Sequence, residues 1–156
     1  MVRHFAIAAV ATWLSCAPVW AAEPALLIGQ PEAIKSAAQL DLEAIKGLGS
    51  VTFETSTPWT DGKVVFDAVP GDKLAALLGS GTTVRATAID EYSVDIPLSD
   101  FTSGKAHIAY AMNGEALPED QFGPFWIVYR YDSDPQLADE AHQARSIWQL
   151  KSLTVR

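Results

Sequence analysis

The stretch Val51 Thr52 Phe53 Glu54 Thr55 Ser56 Thr57 Pro58 Trp59 Thr60 Asp61 Gly62 Lys63 Val64 Val65 Phe66 sets the terms for the whole chain. Val51, Phe53 and Thr55 alternate with Thr52 and Glu54, a period of two that predicts a half-buried strand with Thr55 on the apolar face. Pro58 to Gly62 is dense in turn-forming residues, and Val64 Val65 Phe66 reads as the next short strand. A strand, turn, strand unit at this point argues for a sheet. Upstream, Asp41 is placed to cap a short helix running to Leu48, with Gly47 and Gly49 ending it.

The same reading continues downstream. Asp72 is expected to cap a helix whose Leu74, Leu77 and Leu78 share one stripe and which Gly79 stops. Thr83 to Ile89, Tyr92 to Ile96 and Ala106 to Met112 read as strands, with Pro97 closing the second. Asn113 Gly114 tolerates positive φ at both positions and predicts a tight hairpin turn. Phe125 to Tyr131 is an aromatic and aliphatic run of strand type, expected to be buried on both faces. A polar helix over Pro135 to Ala144 then precedes a final strand, Ile147 to Val155. The sum is a single α+β domain, richer in strands than in its few short helices. Residues from Ala22 to about Ala38 read as linker.

Residues 1–21 have a basic start at Arg3 and His4, an apolar run from Phe5 to Leu14 and a small-residue end at Ala21. This is the layout of a secretory signal peptide, cleaved before Ala22, which leaves residues 22–156 as one domain in the periplasm with no membrane insertion of its own. The apolar run is too short for a bilayer span. A lipidated Cys16 would call for an aliphatic residue where Trp13 stands. Cys16 is the only cysteine of the 156 residues, so the expected mature chain has no thiol and no disulfide, and packing by a sequence 49% hydrophobic must hold it together. A formal charge of −8 repels nucleic acid and anionic lipid and removes both as partners.

The common catalytic signatures are missing. His107 and His142 stand far apart, neither with a second ligand one helical turn away. Gly79 Ser80 Gly81 is neither a nucleophile elbow nor a phosphate loop, and adjacent carboxylates such as Asp90 Glu91 are the usual dress of a solvated loop. Trp59 in a turn and Trp148 near Arg145 leave two readings open: indoles anchoring a core, or a stacking platform for a flat ligand with the arginine as a fork for phosphate or a carbonyl edge.

Three segments carry a further likeness. Tyr92 Ser93 Val94 Asp95 Ile96 Pro97, then Ala109 to Pro118, then Ala144 Arg145 Ser146 Ile147 Trp148 Gln149 Leu150 resemble, in order and spacing, the molybdopterin-binding domain of the sulfite oxidase family, and Gly123 Pro124 Phe125 Trp126 is similar to the family's Gly-x-Pro strand. The resemblance runs from about Val51 to the C-terminus. It implies that Tyr92 lines the site and that Arg145 and Ser146 hold the pterin. It also implies that Thr55 stands where the enzymes carry the cysteine that ligates molybdenum, and a hydroxyl is a poor substitute for a soft thiolate. The family's histidine and arginine are replaced near Phe122 and Trp126, and its last lysine by Trp148.

The pattern therefore resembles the small exported pterin-binding proteins of this fold, some of which relay pterin status to a membrane-bound partner that makes or degrades cyclic di-GMP. It implies a non-catalytic protein that holds a metal-free pterin and sensing through an inner-membrane signalling partner. The alternative is a molybdopterin-dependent oxidoreductase with an unusual metal ligand. In the first reading Trp148 or Trp59 stacks on the pterin, Asp90 accepts from its amino edge and Arg145 donates to its carbonyl.

Overall fold

The computed structural model describes residues 24–29 and 38–156; the signal peptide and its cleavage point lie outside them. Two five-stranded sheets share the chain. The first runs β2 (Ala38–Asp41), β1 (Ala25–Gly29), β10 (Leu150–Val155), β5 (Thr83–Ala88) and β6 (Ser93–Pro97). The second places β3 (Val51–Ser56), β4 (Lys63–Pro70) and β7 (Ala106–Met112) side by side. Along the far edge of β7, β8 (Glu115–Ala116) pairs with Ala111 and Met112, and β9 (Trp126–Tyr129) pairs with Ala106 to Ala109. Four short helices fill the connections: α1 (Leu42–Gly47), α2 (Gly71–Leu78), α3 (Leu98–Thr102) and α4 (Glu140–Arg145). This is the α+β class that the patterning indicates.

The alternation in β9 explains how the layers meet. Ile127 and Tyr129 point into the large core with Val69, Ile108 and Phe101, while Trp126 and Val128 point into a second cluster with Phe53, Phe66 and Ala68. All four β9 residues are buried, as a strand apolar on both faces requires. Asn113 and Gly114 have φ of 54° and 82°, so the hairpin turn forms where the dipeptide demands it. The Asn113 side chain also accepts from Val65 N at 3.0 Å, tying the turn to β4.

Several elements differ from the sequence reading. The supposed linker contains β1, whose Leu26 and Ile28 are buried and which lies between β2 and β10, parallel to the latter. A five-residue strand with one apolar face looks like a linker when the strand completing its ladder lies at the opposite end of the chain. Asp72 does not cap α2. The helix starts two residues earlier, at Gly71, which packs where a Cβ would come within 2.6 Å of the Ala106 carbonyl oxygen, so Asp72 falls inside the first turn, near the positive end of the helix dipole. Leu74 and Leu78 are buried, but Leu77 is 42% exposed at the edge of the stripe. The polar helix over Pro135 to Ala144 divides into a 3-10 turn (Pro135–Ala138) and α4. Asp139 breaks it, in extended geometry, and caps α4 by accepting from His142 N at 2.8 Å. Asp41 caps α1 as expected, accepting from Ala44 N at 2.8 Å. Among the described residues no helix is long and apolar enough to cross a membrane.

His107 is 4% exposed in β7, its ring 4.8 Å from that of Phe53. Burial first, and then the charge of Arg130, push its pKa down from 6.5 to about 4. A histidine held neutral in the fold binds fewer protons than the unfolded chain between these two values, so stability is full above 6.5 and falls as pH drops toward 4. We expect His107→Gln to flatten that part of the stability profile by on the order of 3 kcal/mol at most, measured by urea unfolding across the range; parallel profiles for the two proteins would contradict it. The position of β1 makes a second prediction. Leu26→Ala should cost roughly 2–5 kcal/mol, as a core truncation does and a linker change does not.

Candidate functional site

The site is built on one pinned segment. After α4 the chain turns at Ser146 and runs to Leu150 alongside the Gly-Pro strand. Ile127 N donates to Ile147 O at 2.9 Å, Gln149 N to Phe122 O at 3.1 Å and Leu150 N to Phe125 O at 2.9 Å. The buried indole of Trp126 adds a fourth bond, from its Nε1 to Ser146 O at 3.1 Å. Gly123 lets this strand lie close against the loop after β8, since a Cβ there would meet the Leu117 carbonyl oxygen at 2.2 Å. Held in this way, the segment presents Trp148 to a cavity of about 510 Å³.

Three walls enclose that cavity. One is Trp59, from the turn between β3 and β4; its ring meets Trp148 edge to face at 5.5 Å. The second is the turn between β5 and β6, with Ala88, Asp90 and Tyr92. The third is α4 and its exit, with Glu140, Gln143, Ala144, Ser146 and Ile147, followed by Trp148 and Gln149. Behind the indole face, Phe122 stacks on Trp126 at 4.4 Å, and Trp126 stands edge-on to Trp148 at 6.4 Å. This stack makes Trp148 the front of a packed aromatic cluster and not an isolated surface ring.

Asp90 shapes its turn by accepting from Tyr92 N at 3.0 Å through one carboxylate oxygen. Glu91 takes a positive φ of 68°, and its carboxylate is held by Lys151. Asp90 and Glu140 thus give the cavity two carboxylates, and no lysine or arginine among the described residues lines it. A wall of acceptors beside an indole suits a flat molecule with an N–H edge.

Of the residues singled out in the sequence, Asp90, Tyr92, Ser146, Trp148 and Trp59 come together around this cavity. Ser146 does so mainly as a structural joint, being 2% exposed. Its hydroxyl donates to His142 O at 3.0 Å and so accepts from the Tyr131 hydroxyl. Burial pushes the Tyr131 phenol up to about 12, so it keeps the proton that this bond uses.

Arg145 and Thr55 lie elsewhere. The Arg145 guanidinium turns back to the buried Asp100, Nη1 to Oδ2 at 3.1 Å, and the same carboxylate oxygen accepts from the Tyr129 hydroxyl at 3.0 Å. A carboxylate buried to 6% exposure needs such a partner, which is why the arginine is drawn away from the cavity. Thr55 is fully buried; its hydroxyl accepts from Asp132 N at 3.1 Å and donates to Ser56 O at 3.3 Å. Asp132 closes the corner by accepting from Ser56 N at 2.9 Å, a bond that together with the Ser56 hydroxyl holds its carboxyl below the usual range. Thr55 therefore locks the end of β3 with a hydroxyl that is buried and bonded on both sides, and a hard hydroxyl is no soft thiolate, so the residues present do not fit the molybdenum centre of the enzymes.

Glu140, Gln143, Ile147 and Gln149 were missed in the sequence. Glu140, Gln143 and Ala144 stand at i, i+3 and i+4, the spacing that puts three side chains on one helix face, and that signal was available.

No protein-family model matches the chain, and no curated protein does. In structure the chain is similar to the sulfane dehydrogenase SoxCD from Paracoccus pantotrophus, with a TM-score of 0.60 and 15% identity over 85% of this chain. The match covers 38% of the SoxCD chain, so this protein spans little more than a third of it. At this identity the likeness shows the fold alone, shared with the matched part of the SoxCD chain.

The Asp100, Arg145 and Tyr129 arrangement is testable by itself. Asp100→Ala strands a partly buried guanidinium and should lower stability by roughly 3–5 kcal/mol. Glu43→Ala, which removes an exposed i,i+3 partner of Lys46, should cost no more than about 0.5 kcal/mol in the same denaturation experiment.

Proposed function

We propose that this is an exported, non-catalytic pterin-binding protein that relays pterin occupancy to a membrane-bound signalling partner. The observation that carries the reading is the cavity in which Trp148 and Trp59 meet the carboxylates of Asp90 and Glu140. A pterin has two aromatic faces and an amino and ring N–H edge. An indole takes the face and a carboxylate accepts from the edge. The cavity, about 510 Å³, lies in the range of small-molecule sites. In this reading Trp148 stacks, Asp90 and Glu140 accept, and Ser146 fixes the loop, while Arg145 and Thr55 act at a distance as structural supports.

The molybdopterin oxidoreductase reading fits these residues less well. The Thr55 hydroxyl is buried and held by two hydrogen bonds, and among the described residues the cavity lining has no cation for the cofactor's phosphate. A relay role is supported by Ile89 and Tyr92, which are 52% and 58% exposed in the turn that carries Asp90. A partner resting on that turn would read whether the site behind it is filled. The acidic surface argues against nucleic acid in this role.

The test is to purify the protein from its exported fraction, release bound ligand by denaturation, and measure pterin fluorescence together with molybdenum content. Pterin without metal is the expected result. Pterin with stoichiometric molybdenum would favour the oxidoreductase, and neither, with no binding of added reduced pterins, would leave the reading without support. Trp148→Ala should weaken pterin binding by about tenfold, the scale of a lost aromatic stack, with the fold intact by circular dichroism.

A further inference from the structure

A second cavity, of about 350 Å³, opens where the end of β4, the start of α2, the end of α3, β7 and the exit of β9 converge. It shares no lining residue with the first. Its charged and titratable lining groups are Asp72, His107 and Arg130, with the hydroxyls of Thr102 and Ser103 beside them. We propose that this cavity binds a small oxyanion that carries a proton of its own, of the hydrogen-phosphate class, either free or as a monoester.

Arg130 supplies the reason for an anion. Arg85 and Arg145 each hold a carboxylate, but among the described residues the Arg130 guanidinium has neither an ion pair nor a hydrogen bond, and its Nε is buried without a partner there. Its one aromatic contact is the Phe53 ring, 4.7 Å from Cζ. A guanidinium with no carboxylate is left to an outside anion, and an oxyanion in the cavity would answer its charge through the terminal N–H groups.

The other two groups supply the reason for a proton on the ligand. His107 Nδ1 lies 3.1 Å from the Lys105 carbonyl oxygen. A carbonyl only accepts, so Nδ1 holds the ring hydrogen, and Nε2 of the neutral ring is a lone-pair acceptor with no partner among the described residues. Burial keeps that ring neutral down to about pH 4. Asp72 is an acceptor as well, only loosely offset by Lys73 at 3.8 Å. Sulfate, with no proton to give, would satisfy Arg130 but leave its other oxygens against a carboxylate and a lone pair. Hydrogen phosphate can place an anionic oxygen on Arg130 and donate its P–O–H to Asp72 or to His107 Nε2. The hydroxyl of Ser103 rotates to suit either.

Titration calorimetry of the full chain at pH 6 and constant ionic strength, with inorganic phosphate, sulfate and glycerol phosphate as probes, tests this. Phosphate should bind at least about tenfold more tightly than sulfate, the scale of one charge-assisted bond made or left unmade. Asp72→Asn, an exposed change that leaves the fold intact, should bring the two anions within about threefold, because an amide can donate to sulfate. Arg130→Gln should abolish phosphate binding, and if that variant does not fold, the Asp72→Asn comparison carries the test alone. Tighter binding of glycerol phosphate than of phosphate identifies a monoester as the ligand, and weaker binding identifies the free anion. Raising the pH past the ligand's second ionisation, about 6 for a monoester, should weaken its binding. Equal affinity for sulfate and phosphate in the unaltered protein, no phosphate binding at millimolar concentration, or unchanged binding in folded Arg130→Gln would each overturn the proposal. Pterin binding should be the same in Asp72→Asn, so failure here is separable from failure at the first cavity.

Discussion

The bond from Trp126 Nε1 to the Ser146 carbonyl oxygen is the constraint on which the architecture of the site rests. A buried indole must place its single N–H on an acceptor. Here the acceptor is the carbonyl at the exit of α4, so one side chain satisfies itself and fixes where the helix ends. Three backbone bonds from Phe122, Phe125 and Ile127 extend that fixation to Leu150, and β10 begins from there. The same indole stacks on Phe122 and stands edge-on to Trp148, Trp59 and Phe66, so the polar and apolar demands of one residue tie together two of the cavity's three walls. Any change that moved Trp126 would move the loop and the ligand platform together.

Elements governed by local chemistry were legible in the sequence. The Asn113 Gly114 turn needs positive φ, the Asp41 cap needs an acceptor three residues before an amide, and β9 needs apolar residues on both faces. Each requirement shows within a few residues. What was not legible depended on distant partners. Nothing near Leu26 or Ile28 says that Ser152 to Thr154 will lie alongside as a parallel neighbour. Nothing near Asp72 says that the Ala106 carbonyl will press on Gly71 and move the helix start forward. Asp139 was the exception: it is a good cap residue, but a continuous polar run over Pro135 to Ala144 hid the break that it makes.

The candidate site divides along the same line. Trp59 in a turn and Trp148 beside an arginine are conspicuous as indoles, whereas Tyr92 and Asp90 enter only through the family resemblance, and all four stand at the cavity. Arg145 was marked because an arginine in an acidic chain invites a ligand. Net charge issues that invitation, whereas pairing is decided by burial. Asp100 lies in a short helix far from Arg145 in sequence, and its carboxylate is nearly inaccessible. The strongest claim on a cation comes from the least solvated anion, and Arg145 answers it.

The two cavities therefore differ in electrostatic character for a reason internal to the fold. Around the first, Arg145 and Lys151 are drawn to Asp100 and Glu91, and the lining keeps bare carboxylates. At the second, Asp72, the one carboxylate among the described lining residues, has a lysine beside it and is partly exposed, while Arg130 is left there with an aromatic face in place of an ion pair. A ring quadrupole stabilises a guanidinium but does not occupy its N–H groups. The result is a protein of net charge −8 in which an acceptor-rich cavity suits a donor edge, and a donor is kept in reserve at a separate place for an anion. Neither property could be read from total charge. Both follow from which ions the packing has already matched.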